Sequence, residues 1–362
     1  MIYFDHNATT PLKPVVRQAI LSVLDLPTNA SSVHKAGRAA RMKIESARTQ
    51  VAKAIQTESA GIIFTSGATE ANNMALNLPL VSRVLVSSTE HPSVLKARDN
   101  CELIPVNSDG ILDMDALEDM LKADNQPTLV SVMMVNNETG IVQPIKEIAT
   151  LVRKYNGFTH TDAVQAIGRL PIDMIDLGVD MLSLSSHKIG GPQGVGALAF
   201  RNCVEPALLL KGGGQEKNRR AGTENTAGII GFGMACTDVI ENMDSYNGLS
   251  ELRDKLEVAL SDHVKCITHD NRVSNTSMMI VSDIASETLL IALDLEGIAI
   301  SNGSACSSGT VEPSHVLSAM GIPDIEANCA IRISLGWNTT EGEVDNFIES
   351  FLKIASRIKA RA

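Results

Sequence analysis

The sequence predicts an α/β fold: a large domain with a mostly parallel sheet and helices on both faces, followed by a smaller α+β C-terminal domain. Three observations carry that reading. Between Ile62 and Ala163, short apolar runs alternate with stretches of helical period, the pattern of parallel strands joined by crossover helices. From about residue 226 the pattern becomes richer in helix, with a few strands such as 277–281 and 330–335. The chain is also 362 residues long, past the size at which a single core stops growing. The division expected is 12–245 for the large domain and 1–11 with 246–362 for the smaller one.

Taken in order, 3–10 reads as a short extended segment. Pro11 and Pro14 then open a helix with apolar positions Val15, Val16, Ala19, Ile20 and Val23. A longer amphipathic helix is expected over 36–55, with Arg38, Arg41, Lys43, Arg48 and Lys53 facing outward. The alternating region follows: strand IIFTSG, helix ATEANNMALNL, strand RVLVSS, a helix after Pro92, strand ELIPV, helix MDALEDML, strand TLVSVMMV, a helix over 145–154 and strand GFTHTDA. There are no repeats and no low-complexity linker. The N-terminal residues are expected to pack with the smaller domain.

Composition narrows the function classes. Hydrophobic residues make up 44% of the chain and aromatics 3%, which suits an aliphatic core and a chain that is globular throughout. A net charge of −11 without a basic block argues against a nucleic-acid groove or an anionic membrane surface as partner. The opening MIYFDHNATT has neither the charged start nor the apolar core of a secretory signal, and no apolar run spans a bilayer, so a cytoplasmic protein is expected. Six cysteines lack any C-x-x-C pair, against a disulfide framework or zinc knuckle; no metal site is expected. Cys203 and Cys236 read as buried, inert members of apolar runs.

Open parallel sheets bind ligands beyond the carboxyl ends of their strands, where helix N-termini point free amides. Five strand ends here turn polar directly after an apolar run: Ser66-Gly67-Ala68-Thr69, Thr89-Glu90-His91, Asn136-Asn137-Glu138, Asp162-Ala163 with Gln165, and Ser185 with His187-Lys188. The first is suited to cradling a phosphate with backbone amides and the Thr69 hydroxyl, or is an ordinary helix cap. No nucleotide-triphosphate loop occurs. The GGPQGVG turn leads into a strand where a dinucleotide fingerprint requires a helix.

Lys188 follows a buried strand directly, a costly place for an ammonium. Either the strand ends and the side chain reaches water, or the amine has a depressed pKa and condenses with an aldehyde cofactor. Asp162 is a helix cap or the partner of a pyridine ring nitrogen. His91 is a satisfied core histidine or an aromatic lid that also moves protons. Cys306 lies in SNGSACSSG among small residues with nothing apolar to bury it, which favours a thiol able to reach out and react. Arg332, inside the apolar run AIRISL, needs a carboxylate of the protein or of a substrate. The polar glycine-rich stretch from Gly212 to Asn225 is longer than a simple turn and suits a site or an interface.

Nine ordered segments, YFDHNATTP, TSGATEANN, EHPSV, VNNETG, TDAVQAIG, SSHKIGGPQGVGAL, RRAGTEN, SACSSG and RISLG, resemble the cysteine desulfurases, pyridoxal-phosphate enzymes of the class V aminotransferase group. They run through nearly the whole chain. The resemblance implies pyridoxal-phosphate fold type I, with pyridoxal 5′-phosphate carried on Lys188, His91 stacked on its ring, Asp162 on the ring nitrogen and Gln165 on the phenolate oxygen. It further implies a phosphate cup of Ala68, Thr69, Ser185 and His187, completed by Thr223 from the second subunit of a homodimer. Asn137 and Arg332 would bind the carboxylate of L-cysteine. Cys306 would accept its sulfur as a persulfide, leaving L-alanine.

The stretch SACSSGTVEPSHVL resembles the branch with a longer mobile cysteine loop, which serves iron–sulfur assembly and tRNA thiolation through scaffold or acceptor proteins. Trp337 and Asn338 depart from the family pattern. Two rivals stand beside this reading: another enzyme of the same fold, which needs the lysine and aspartate but not the loop cysteine, and a sulfur-relay scaffold with a vestigial pocket.

Overall fold

A computed structural model describes residues 1–27, 29–302 and 313–360. Its strands, in chain order, are β1 (Ile2–Tyr3), β2 (Ile62–Thr65), β3 (Arg83–Ser87), β4 (Glu102–Ile104), β5 (Thr128–Ser131), β6 (Phe158–Asp162), β7 (Met181–Ser185), β8 (Gly196–Phe200), β9 (Val264–Ile267), β10 (Thr276–Val281), β11 (Ile298–Ala299), β12 (Ser301–Asn302) and β13 (Ala330–Ser334). Seven of them form one sheet in the order β2-β8-β7-β6-β5-β3-β4. From β7 to β4 every pairing is parallel. Only β8 runs against its neighbours β2 and β7.

Alternation along the strands feeds two cores. Leu182 and Leu184 of β7, Leu85 of β3, and Ala197 and Ala199 of β8 face one side, with Ile44, Val51 and Phe232 from the helices Lys35–Ala54 and Thr226–Glu241. Met181, Val84, Val86 and Leu198 face the other, with Met74 and Leu76 from the helix Ala68–Leu76. A parallel sheet covered on both faces is the expected layered arrangement.

A four-stranded antiparallel sheet, β12-β13-β10-β9, organises the C-terminal part. The N-terminus packs beside it: β1 and β11 form a separate two-stranded parallel sheet, Asp5 bridges to Ser334 at the end of β13, and Phe4 packs edge-on against Phe347 with ring centroids 5.7 Å apart. Trp337 packs on the same core and donates from its indole nitrogen to the Pro11 carbonyl at 3.3 Å, tying the entry of the first helix to it.

The structure corrects several local expectations. The helix after Pro92 is a single turn, Pro92–Leu95. In the first helix, Pro14–Leu24, Val16 and Val23 are buried but Val15 is exposed. Cys203 is exposed, because it sits in the turn that ends β8, whereas Cys236 is buried. Arg48 does not face outward. It lies on the same helical stripe as Ile44 and Val51 and is 3% exposed, stabilised by Glu216, a partner far away in sequence.

Candidate active site

The polar strand ends converge because parallel strands share one direction. They open onto a cavity of about 630 Å³ lined by Ala68, Thr69, His91, Asn137, Asp162, Gln165, Ser185, His187, Lys188 and Arg332, ten of the twelve residues singled out above. Thr223 stands outside it in this chain, exposed, beside a smaller cavity of about 160 Å³ with Arg220 and Glu224. Cys306 lies outside the described residues.

The anion side of the cavity is built at the end of β2. Gly67 precedes the nine-residue helix Ala68–Leu76 and offers no capping side chain, so the first-turn amides of Ala68 and Thr69 are not satisfied by a cap. Glu70 does not compete for that space: its carboxylate accepts from the Ser66 amide at 2.7 Å and pairs with Arg220 at 2.9 Å. Gly196, the first residue of β8, is what lets this turn sit so close, since a Cβ there would fall 2.8 Å from the Gly67 Cα and 2.6 Å from the Leu184 carbonyl oxygen.

Lys188 sits in the tight turn Ser186–Ile189 between β7 and β8, and Gly190 at φ 77° closes that turn. The amine donates to the carbonyls of Asn7 and, at 2.8 Å, Ala8. Burial, then the charges of Arg332 and Arg169, push its pKa down to about 7, with Asp5 and Asp162 opposing. With a pKa near 7 the amine is about half neutral at pH 7 and more nucleophilic than an ordinary lysine, the property that the second of the two readings requires. Its neighbour His187 accepts or donates at 3.1 Å with the Thr9 hydroxyl, and burial with the nearby Lys188 charge brings it down to about 4.

Asp162 accepts from the Asn72 amide at 2.8 Å and from the Val164 backbone at 3.0 Å. Two residues earlier on the same strand, His160 bridges the hydroxyls of Ser131 (2.8 Å) and Ser183 (2.9 Å), and burial lowers it to about 3, so a neutral rung supports the strand that carries Asp162. His91 caps the short helix Pro92–Leu95: its Nδ1 accepts from the Ser93 amide at 3.1 Å, which leaves Nε2 to carry the proton when the ring is neutral, and burial lowers its pKa. Glu90 is fully buried. Burial and the Asp162 charge raise its carboxyl well above the ordinary range.

On the opposite wall, Arg332 donates to Asp5 at 2.7 Å and to the Asn137 carbonyl at 3.0 Å, while its Nε is buried without a partner among the described residues. Ser301 of β12 lines this wall as well. Sequence reasoning missed the share of Asp5, Asn7, Ala8 and Thr9, which line the cavity because the pairing of β1 with β11 and the Asp5 bridge to Ser334 lead the N-terminus there. It also missed Arg169. The FDHNATT run carried a signal in its density of polar side chains, but the fold alone brings it to the strand ends.

These groups fit a flat, anionic, aldehyde-bearing cofactor. An uncapped helix start, a hydroxyl and an imidazole suit its phosphate, an amine of lowered pKa its aldehyde, and a buried carboxylate its ring nitrogen.

The profile of the aminotransferase class-V family matches residues 2–347. The chain belongs to this family, among its cysteine desulfurases. Cysteine desulfurase IscS from Dictyoglomus turgidum is 41% identical over 99% of this chain and 95% of its own length. Among solved structures, a NifS-like protein from Rickettsia africae superposes with a TM-score of 0.90 at 37% identity, covering 98% of this chain and 99% of that one. A protein described as SspA in complex with cysteine reaches a TM-score of 0.81 at 30% identity, over 92% and 99% of the two chains. With these likenesses, the α/β fold expected from the sequence is that of NifS-like enzymes, and the chain is an enzyme of the cysteine desulfurase class. Among the described residues, no helix is long and apolar enough to cross a membrane.

Proposed function

We propose that this chain converts L-cysteine to L-alanine with pyridoxal 5′-phosphate held at Lys188, and that Cys306 takes the sulfur as a persulfide and passes it to acceptor proteins for iron–sulfur cluster assembly or tRNA thiolation. The observation that carries the proposal is the depressed amine of Lys188 in one cavity with Asp162, His91 and an uncapped helix start. The likeness to a structure described as a complex with cysteine supports the choice of substrate.

In this reading Ala68, Thr69, Ser185 and His187 hold the phosphate, Gln165 donates to the phenolate oxygen and Asp162 keeps the ring nitrogen protonated. When bound, the cofactor supplies an electron sink for charge developing at the substrate α-carbon. The Nζ of Lys188, when free, would move the α-proton, and His91 Nε2, left open by the Nδ1 cap, would be a second group able to exchange protons in the cavity. Arg332, with its unpartnered Nε, and Asn137 orient the substrate carboxylate. Cys306, as thiolate, attacks the substrate sulfur: an S–S bond forms, the C–S bond breaks and its electron pair stays with the carbon skeleton, so L-cysteine and enzyme thiol become L-alanine and enzyme persulfide without an outside oxidant.

The proposal includes the division into 12–245 and 1–11 with 246–362, the second unit bearing Cys306. It also includes a homodimer in which Thr223 reaches the partner's phosphate cup; the exposure of Thr223 and of Leu208, Leu209 and Leu210 supports this. A cytoplasmic setting suits chemistry that needs reduced thiols. The test is incubation with L-cysteine. Alanine should form and the peptide containing Cys306 should gain the mass of sulfur, with Cys306→Ala losing both. Turnover retained in Cys306→Ala would favour an enzyme of the same fold that does not use this thiol.

A further inference from the structure

Arg169 is 5% exposed, and among the described residues no carboxylate forms an ion pair with it. Burial lowers its pKa to about 10, and the group that opposes this is the buried phenol of Tyr246; Arg332 adds a second positive charge nearby. A buried guanidinium without an acid is costly, and stability does not account for it. Its hydrogen bond runs to the side chain of Gln165, four residues earlier in the turn that follows β6, where the Ile167 amide bonds the Ala163 carbonyl at 3.0 Å and the Arg169 amide bonds the Ala166 carbonyl at 2.9 Å.

A guanidinium has five donors and no acceptor, so the atom of Gln165 that faces Arg169 must be the carbonyl oxygen. That removes the usual two-fold ambiguity of a side-chain amide. The NH2 group is forced to the other side, where it donates at 3.0 Å to the Asn7 carbonyl that also receives the Lys188 amine. We propose that Arg169 is a positioning residue that locks the Gln165 amide with its NH2 turned toward the cavity, so that position 165 is an obligate hydrogen-bond donor to the bound cofactor. The inference rests on the cofactor reading above. Without Arg169 only the Asn7 carbonyl orders the amide, and the flipped orientation, which turns an oxygen toward the phenolate and repels it, gains population. The arginine acts through the glutamine and touches neither cofactor nor substrate.

The test measures cofactor affinity by visible absorbance, adding pyridoxal 5′-phosphate to stripped full-length protein. Arg169→Met should weaken binding by about tenfold, the worth of one hydrogen bond. Gln165→Ala should do the same, and the double variant should be no weaker than Gln165→Ala alone. Arg169→Lys, which keeps the cation and its donors, should bind within about threefold of wild type. The thermal midpoint of cofactor-free Arg169→Met should be unchanged or higher, since an apolar isostere replaces an unpaired buried charge. Should that variant not fold, Gln165→Glu decides: it keeps an acceptor for Arg169 and loses the donor, so it should fold firmly yet bind the cofactor weakly. Wild-type affinity in Arg169→Met or in Gln165→Glu, or losses that multiply in the double variant, would overturn the inference. If the wild-type protein itself develops no visible band, the cofactor reading has failed instead.

Discussion

Two buried arginines show how the same side chain serves opposite ends in this molecule. Arg48 is fully answered: it forms a bidentate pair with Glu216 at 2.7 and 2.8 Å, donates to the Ile62 carbonyl at 2.9 Å and stacks on Phe64 at 4.8 Å. Glu216 also accepts from the Phe64 amide at 2.9 Å, so it fastens the glycine-rich loop to the edge of the sheet although its own φ is 44°. Arg169 has no acid paired with it among the described residues. The paired charge holds a segment in place; the unpaired one lies behind Gln165, and after burial itself the charges of Arg332 and Arg169 help lower the Lys188 amine. A buried cation thus builds structure where it is neutralised and tunes chemistry where it is not.

The largest effect that would sharpen this contrast comes from breaking the paired member. Glu216→Ala leaves Arg48 buried and unpaired and should cost about 3–5 kcal/mol in chemical denaturation. Replacing both partners together, Arg48→Met with Glu216→Leu, should cost far less. A double replacement as damaging as the single one would break the comparison. Next, Arg332→Ala should raise the KM for L-cysteine by about 10–100-fold, because the substrate carboxylate no longer has a charged donor to bind, with a smaller effect on kcat. Gly196→Ala, whose methyl meets Gly67 and the Leu184 carbonyl, should cost about 1–3 kcal/mol and weaken cofactor retention with it.

The remaining prediction concerns pH. An amine lowered from 10.5 to about 7 on folding binds fewer protons in the folded than in the unfolded chain between those values, so its penalty is full below pH 7 and fades as pH rises to 10.5. In cofactor-free protein, Lys188→Met should therefore be more stable than wild type at pH 6, and that advantage should shrink by pH 10. A constant difference across this range would place the unpaired charge elsewhere.

Much of this arrangement was legible in the sequence, and the parts that were not share a cause. Alternation of period two and helical period gave the strands and helices of the large sheet, and the rule for strand ends selected Ala68, Asp162 and Lys188 before any likeness was considered. Local pattern has no access to pairing across the chain. Arg48 reads as one more outward basic residue because Glu216 is invisible from its own helix, and Cys203 reads as core because a turn cannot be told from the strand it ends. Arg169 carries no motif of its own; only the fold shows that none of the described acids pairs with it. The N-terminal FDHNATT run reads as an extended segment and becomes a wall of the site because β1 pairs with β11, almost three hundred residues later.

The central claim is that the pocket lowers the Lys188 amine until about half of it is uncharged at neutral pH. Its most direct test is the pH dependence of chemical labelling of that amine in cofactor-free protein, followed by mass spectrometry of the peptide containing Lys188. The structure predicts a midpoint near pH 7, moving upward when Arg332 or Arg169 is made neutral. A midpoint near 10.5, the value of an ordinary lysine, would contradict it.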